Sequence, residues 1–144
     1  MSVITVKSEH HYDVVIGKSW LNELIAILSQ YSRVAIFYST AQEDFIPKFS
    51  VDADVHYFPL PDGEAAKSSQ TIAKMWDWMG AAGFTRSDVV VGIGGGTITD
   101  VTGFLSASWM RGVDWIAVPT TLAGMVDASI GGKTGINSEY GKNL

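Results

Sequence analysis

Cysteine is absent from the 144 residues. That removes disulfide scaffolds, thiolate zinc sites and cysteine nucleophiles together, and it fits a reducing compartment such as the cytoplasm. Basic residues are scarce: ten Lys and Arg against fifteen Asp and Glu leave a net charge of -5, with no basic stripe, which excludes nucleic acid as the expected partner. No apolar run approaches the roughly 20 residues of a membrane span. Residues Met1 to Asp13 carry no apolar leader core, so no membrane partner is expected either. With 47% hydrophobic and 17% charged residues the chain lies far from disordered compositions, and its length suits one domain over 1–144. No repeat or low-complexity tract appears, and the chain stops at Leu144 with no element to end against, which reads as a fragment whose partner domain is missing.

What is present alternates. Val3 to Lys7 and Tyr12 to Ile16 are short β-branched runs around Ser8, Glu9, His10 and His11, and they predict a hairpin ending at Gly17. Ser19 is placed to cap a helix with Leu21, Leu24, Ile25 and Leu28 on one face. Then follow a strand over Arg33 to Tyr38, a weak helix over Gln42 to Phe49, a strand over Asp54 to Leu60, and a helix over Ser69 to Ala82 closed by Gly83. Asp88 to Ile93 and Asp114 to Val118 read as buried strands, separated by a helix running to about Met110. Thr120 to Ser129 reads as helical, and Gly131 to Leu144 as irregular. Strands apolar on both faces and alternating with helices predict a doubly wound, Rossmann-like α/β fold with a mostly parallel sheet, opened by the N-terminal β-hairpin.

The sharpest chemical signal is Gly94-Gly95-Gly96 between a strand and a helix. Such a loop either cradles a phosphate on bare amides at the helix N-terminus, or merely lets helix and strand pack closely. The common dinucleotide fingerprint starting at Gly92 fails at Thr97, and Asp114 lies at the wrong end of its strand for the ribose acid. Gly131-Gly132-Lys133-Thr134 resembles the close of a nucleotide loop, but the required first glycine is Asp127, which rejects that reading. Polar groups gather beyond strand ends: Glu64, Lys67, Asp100, Asp127, Lys133, Lys142 and Asn143. Taken singly, Asp100 complements a helix dipole and Lys67 lies on a solvated face; taken together they sit where open α/β sheets hold ligands. His10, His11 and His56 do not have the spacing of a metal site.

Leu60-Pro61-Asp62-Gly63-Glu64 with Lys67, the glycine triplet with Asp100, Gly103-Phe104, Arg111-Gly112, Val118-Pro119-Thr120-Thr121-Leu122, Val126-Asp127, Gly131-Gly132-Lys133-Thr134 and Gly141-Lys142-Asn143 form an ordered series. In order and spacing it resembles the N-terminal half of the 3-dehydroquinate synthase family of sugar phosphate cyclases. Glycerol and iron-type alcohol dehydrogenases share the glycine triplet and the Asp, but the stretch Leu122 to Thr134 follows the cyclase pattern.

The resemblance implies NAD as cofactor, with its pyrophosphate on Gly95, Gly96 and Thr97, its adenosine ribose near Glu64 and Lys67, and Asp100, Thr120 and Thr121 alongside. It puts Asp127, Lys133, Lys142 and Asn143 at a sugar phosphate substrate, Asp127 and Lys142 touching the cofactor as well, and Arg111 reaching the substrate of a neighbouring subunit in a homodimer. It implies a divalent metal, zinc or cobalt, whose ligands belong to a helical C-terminal domain absent from this chain. The implied reaction cyclises 3-deoxy-D-arabino-heptulosonate 7-phosphate to 3-dehydroquinate with release of phosphate, and this chain alone is expected to be inactive. Thr97, Thr99 and Met125 depart from the family pattern, and Ser39 or Thr40 stands where an acid near the adenosine is common.

Overall fold

A computed structural model describes residues 2–8, 11–17 and 19–144. Strands β1 (Ser2–Val6) and β2 (Tyr12–Ile16) pair antiparallel, with Val3 opposite Val15, and the Thr5 hydroxyl donates to Asp13 at 2.7 Å. Glu9 and His10, placed in the predicted turn, lie outside the described residues. Helix α1 (Trp20–Leu28) buries Leu24 and Leu28 of the expected stripe. Ser19 does not cap it through its side chain, as expected from sequence; with φ -120 and ψ 59 its backbone leaves the extended conformation capping needs, and only its carbonyl accepts, from the Glu23 amide at 3.3 Å.

Strands β3 (Arg33–Ser39), β4 (Asp54–Leu60), β5 (Val89–Gly94) and β6 (Asp114–Pro119) form a parallel sheet in the order β4-β3-β5-β6. Alternate residues of β3 serve two cores. Val34, Ile36 and Tyr38 pack with Leu24, Leu28 and the segment from Ile46 to Ala53 on one face. Ala35 and Phe37 pack on the other with Ile72, Met75 and Met79 of helix α2 (Ser69–Ala81) and with Val101 and Leu105 of helix α3 (Gly96–Ser108). The sheet is thus covered on both faces, the doubly wound arrangement. Strand β6, expected to be buried, is partly exposed along its length because it is the edge strand, with β5 as its one paired neighbour among the described residues.

The helix expected over Gln42 to Phe49 does not form. A 3₁₀ turn over Thr40–Phe45 ends at Ile46, which is extended at φ -82 and ψ 116. Pro47 is the reason, since its ring disfavours helical backbone at the preceding residue and it has no amide to donate. Tyr57 then holds the stretch, donating to the Pro47 carbonyl at 3.2 Å and accepting from the Phe49 amide at 2.9 Å. Helix α2 keeps its predicted bounds to within a residue, with Ser68 capping the Thr71 amide at 3.1 Å.

Chain direction across the sheet reverses between β3 and β5. The connection after β3 leads outward to β4 and the one after β5 leads outward to β6, so a crevice opens where their C-terminal ends diverge. Helix α3 returns over the sheet from that point at very close range. A Cβ on Gly92 would collide with the Thr102 side chain, one on Gly103 with Thr134, and one on Gly94 would lie 2.7 Å from Ile98.

Two outcomes are expected. Gly92→Ala should cost about 1–3 kcal/mol by overpacking, seen as a lower urea midpoint, and the double variant Gly92→Ala/Thr102→Ala should lose less than the two single losses summed. At the opposite end of the sheet the Tyr31 hydroxyl donates to Asp114 Oδ2 at 2.9 Å, and burial, followed by that bond and the carboxylate charge, pushes its phenol up to about 12 from 10.0. A raised folded-state pKa stabilises fully below the unfolded value and is lost as pH rises through the folded one. Urea midpoints of the native chain should therefore fall between pH 10 and 12 more steeply than those of Tyr31→Phe.

Candidate functional site

Beyond Gly94 the backbone stays extended at Gly95, φ -73 and ψ -174, and enters α3 at Gly96. Gly95 occupies the cap position without a side chain, so no side-chain oxygen takes up the first amides of the helix. Those amides, together with the positive end of the helix dipole, are free to meet an anion. The Thr120 amide donates to the Gly94 carbonyl at 2.8 Å, and the Thr121 hydroxyl accepts the Gly124 amide at 3.1 Å, which sets both threonines against the loop. A cleft of about 270 Å³ opens here, lined by Gly95, Thr97 and Ile98, by Ser39, Gln42 and Asp62 beyond β3 and β4, and by Thr121 beyond β6. Gln42, which sequence reasoning missed, spans it: its amide donates to Thr120 Oγ1 at 3.2 Å while its Oε1 is buried without a partner. Nothing in the local sequence marks it, because its role depends on a threonine 78 residues away.

Lys67 ends the 3₁₀ turn Gly63–Lys67 and is 3% exposed, so it does not lie on a solvated face. Its ammonium donates to Asp100 Oδ2 at 2.7 Å and to Asn143 Oδ1. A buried ammonium must find acceptors for its three donors or lose several kcal/mol of solvation. Here Asp100, at the start of the second turn of α3, and Asn143 of the C-terminal loop supply two. Asn137, also missed from sequence, closes the knot: its amide donates to the Lys67 carbonyl at 2.7 Å, its side-chain nitrogen to Glu64 at 2.7 Å, and its Oδ1 accepts the Asn143 amide at 3.1 Å.

The structure thus brings together Gly95, Gly96, Thr97, Thr120 and Thr121 in one group, and Glu64, Lys67, Asp100 and Asn143 in another joined to it through α3. Asp127 is exposed on a single π turn, Gly124–Ala128, packed on the loop so that a Cβ at Gly96 would lie 3.5 Å from Ala128. Lys133 is exposed after Gly131 and Gly132, whose φ values of 83 and 69 need glycine, and Lys142 is exposed beside Asn143. Arg111 is not brought in. It follows the far end of α3, about 20 Å from the glycine loop at 1.5 Å per residue.

Among the described residues no three His, Asp or Glu side chains converge on a point where a metal could sit. His56 lies 2.8 Å from Asp54 and meets Trp78 and Phe84 edge-on, and His11 is exposed beside the hairpin.

Replacing Lys67 by Met should strand the Asp100 carboxylate and cost about 3 kcal/mol, the low end for a broken buried pair because Asp100 keeps some solvent. In Lys67→Met/Asp100→Asn the charge is gone, and urea denaturation should recover more than half of that loss.

The family description 3-dehydroquinate synthase N-terminal matches residues 57–144. The 3-dehydroquinate synthase of Thermobifida fusca (strain YX) is 50% identical over 139 residues, covering 92% of this chain and 38% of that protein. A crystal structure of 2-deoxy-scyllo-inosose synthase, complexed with carbaglucose-6-phosphate, NAD+ and Co2+, matches 99% of this chain and 42% of its own with a TM-score of 0.86; at 22% identity the likeness is one of fold. The 2-epi-5-epi-valiolone synthase of Streptomyces hygroscopicus subsp. jinggangensis 5008, with NAD+ and Zn2+ bound, matches 97% of this chain and 41% of its own at 28% identity and a TM-score of 0.78. The chain spans about two fifths of the length of these relatives. The matched stretch begins in β4 and takes in the glycine loop, the buried lysine and the C-terminal loop, and on it the chain belongs to the N-terminal 3-dehydroquinate synthase family.

Proposed function

We propose that residues 1–144 are the NAD-binding N-terminal domain of a 3-dehydroquinate synthase, which closes 3-deoxy-D-arabino-heptulosonate 7-phosphate into 3-dehydroquinate and expels phosphate. The observation that carries this reading is the uncapped glycine loop at the sheet's switch point, tied through Asp100 and Lys67 to the loop that bears Lys142 and Asn143. The residues fit the cofactor. Side chains are missing where a pyrophosphate must approach, a Cβ on Gly95 would crowd Thr121 at 3.3 Å, and Gln42 Oε1 is buried facing no partner in the cleft wall.

Bound NAD would supply a reversible hydride acceptor for one substrate alcohol. The chain's own part is to hold and to orient. Amides at Gly95, Gly96 and Thr97 take the pyrophosphate, Thr120 and Thr121 flank it, and Glu64 with the Lys67–Asp100 pair defines the ribose side. Asp127, Lys133, Lys142 and Asn143 meet the sugar phosphate, the two lysines offering point charges to its phosphate oxygens. Arg111, far from this cleft, serves the neighbouring copy in a homodimer, where its forked guanidinium suits a phosphate. The described residues do not assemble a metal site, and a zinc or cobalt ion would be held by the C-terminal part of the full-length protein. Exposed Leu122, Met125 and Val126 beside the cleft support cover by that same part. Among the described residues no helix is long and apolar enough to cross a membrane, and together with the lack of cysteine this supports the cytoplasm as its place.

The full-length protein decides the matter. Phosphate release from the heptulosonate phosphate, with NAD needed only in catalytic amount, is the expected result, and the 144-residue chain alone should release none above background. Net NADH formation from glycerol or a simple alcohol would replace the cyclase with a dehydrogenase, and NAD binding without turnover would replace it with a binding module.

A further inference from the structure

Where α3 gives way to β6 the backbone takes a form that its residues disfavour. Met110 (φ 47, ψ 30) and Arg111 (φ 71) both lie in the left-handed region, and the Gly112 amide donates to the Trp109 carbonyl at 2.8 Å. That is the pattern of a type I′ turn, whose two central positions favour Asn, Asp and Gly because a larger side chain there crowds its own backbone. The glycine of this stretch stands one place too late: Gly112, at φ +117, follows the centre of the turn. Ending the helix does not require the pair. A helix stop uses one left-handed residue directly after helical backbone, whereas Trp109 is already extended, at φ -68 and ψ 119, before Met110 begins. Nor does burial hold Met110 there, since it is 49% exposed.

Both ends of the turn are pinned. Trp109 packs on the core that holds Met75 and Met79, its ring 3.6 Å from where a Cβ on Gly80 would stand, and the Val113 amide donates to the Ser106 carbonyl at 3.0 Å. Strained backbone persists only where its surroundings over-determine it, and such positions cluster where a side chain must be aimed. Arg111 is the side chain so aimed: it is exposed, and among the described residues it has no ion pair and no hydrogen-bond partner. An Asn-Gly pair would reverse the chain with less strain, but it would not offer a guanidinium. We propose that Met110 is a positioning residue, whose left-handed backbone holds Arg111 clear of its own domain and toward a phosphate bound by a second copy of the chain. The assignment rests on the reading of Arg111 as a phosphate ligand within a homodimer, and adds to it the device that fixes its direction. A guanidinium meets phosphate oxygens through a planar fork, so its affinity depends on the angle of approach and not on charge alone.

Steady-state kinetics of the full-length protein, with inorganic phosphate as a competitive inhibitor, separate this role from a merely structural one. Arg111→Ala should weaken phosphate inhibition and lower kcat/KM for the heptulosonate phosphate, each by about tenfold or more, as for a lost charge-assisted hydrogen bond. Met110→Val, whose branched side chain opposes a left-handed backbone, should match those losses to within about threefold. Met110→Asn, which accepts that backbone, should stay within about threefold of the native protein and raise the urea midpoint. The double variant Met110→Val/Arg111→Ala should lose nothing beyond Arg111→Ala, because one residue acts through the other. Should Met110→Val not fold, Met110→Gly takes its place: phosphate inhibition should weaken about threefold in the native background and not at all beside Arg111→Ala, with no fall in the urea midpoint. Phosphate inhibition unchanged in both Met110→Val and Met110→Gly, or losses that add in the double variant, overturn the role of Met110 and leave Arg111 as the phosphate ligand. Unchanged phosphate inhibition in Arg111→Ala overturns the reading of Arg111 and this assignment with it.

Discussion

Helix α3 lies so near strand β5 that Gly92 and Gly94 can carry no side chain, and this close approach governs the geometry of the whole ligand-facing end. A helix pressed against its own preceding strand must begin at once after it, which leaves Gly95 as the entire connection. Its N-terminal amides are then presented at the level of the strand ends, not above them. Thr102 uses the same tight contact: its hydroxyl accepts from the Trp115 indole at 3.2 Å and donates back to the Ile98 carbonyl at 2.7 Å, joining α3 to β6 as well as β5. The helix N-terminus is thus set by packing along its length, and the anion-ready loop follows from core geometry.

A second constraint is electrostatic. The buried Lys67 ammonium draws Asp100 from α3 and Asn143 from the C-terminal loop to one point, 33 and 76 residues away in sequence. Burial makes each partner obligatory, since an unpaired cation there would cost several kcal/mol. The irregular segment from Gly131 onward, which has few regular backbone bonds of its own, gains its place from this knot and from the short bridges of Asn137 to Ser68 and Gly141 to Ser138. Loops that carry charge-bearing residues are in this way tied to the rigid sheet without being part of it.

These two constraints meet in α3, whose first turn contributes the bare amides and whose second turn opens with Asp100. A ligand seated on the amides lies within one helical turn of the carboxylate that holds Lys67. The proposed cofactor site and the proposed substrate loop are accordingly two sides of one helix N-terminus, and a change in either is felt by the other through a single carboxylate.

Much of this was legible in the residues themselves. Strands β3 and β5 are apolar on both faces, a pattern that only a sheet covered on both sides produces, and Gly94-Gly95-Gly96 between strand and helix leaves few conformations open. The ordered motifs from Leu60 onward pointed to the family that the match over 57–144 bears out. Where reading failed, the deciding force was local or long-range physics that composition does not carry. Pro47 cancelled a helix through the residue before it, Ser19 turned away from its cap, and β6 proved an edge. Lys67 read as a surface lysine because nothing nearby in sequence hints that Asp100 and Asn143 will bury and satisfy it. Gln42 and Asn137 were invisible for the same reason. Patterns of burial and backbone freedom repeat within a few residues and so survive in the sequence, while a polar side chain's role depends on partners that only the folded chain brings within hydrogen-bond reach.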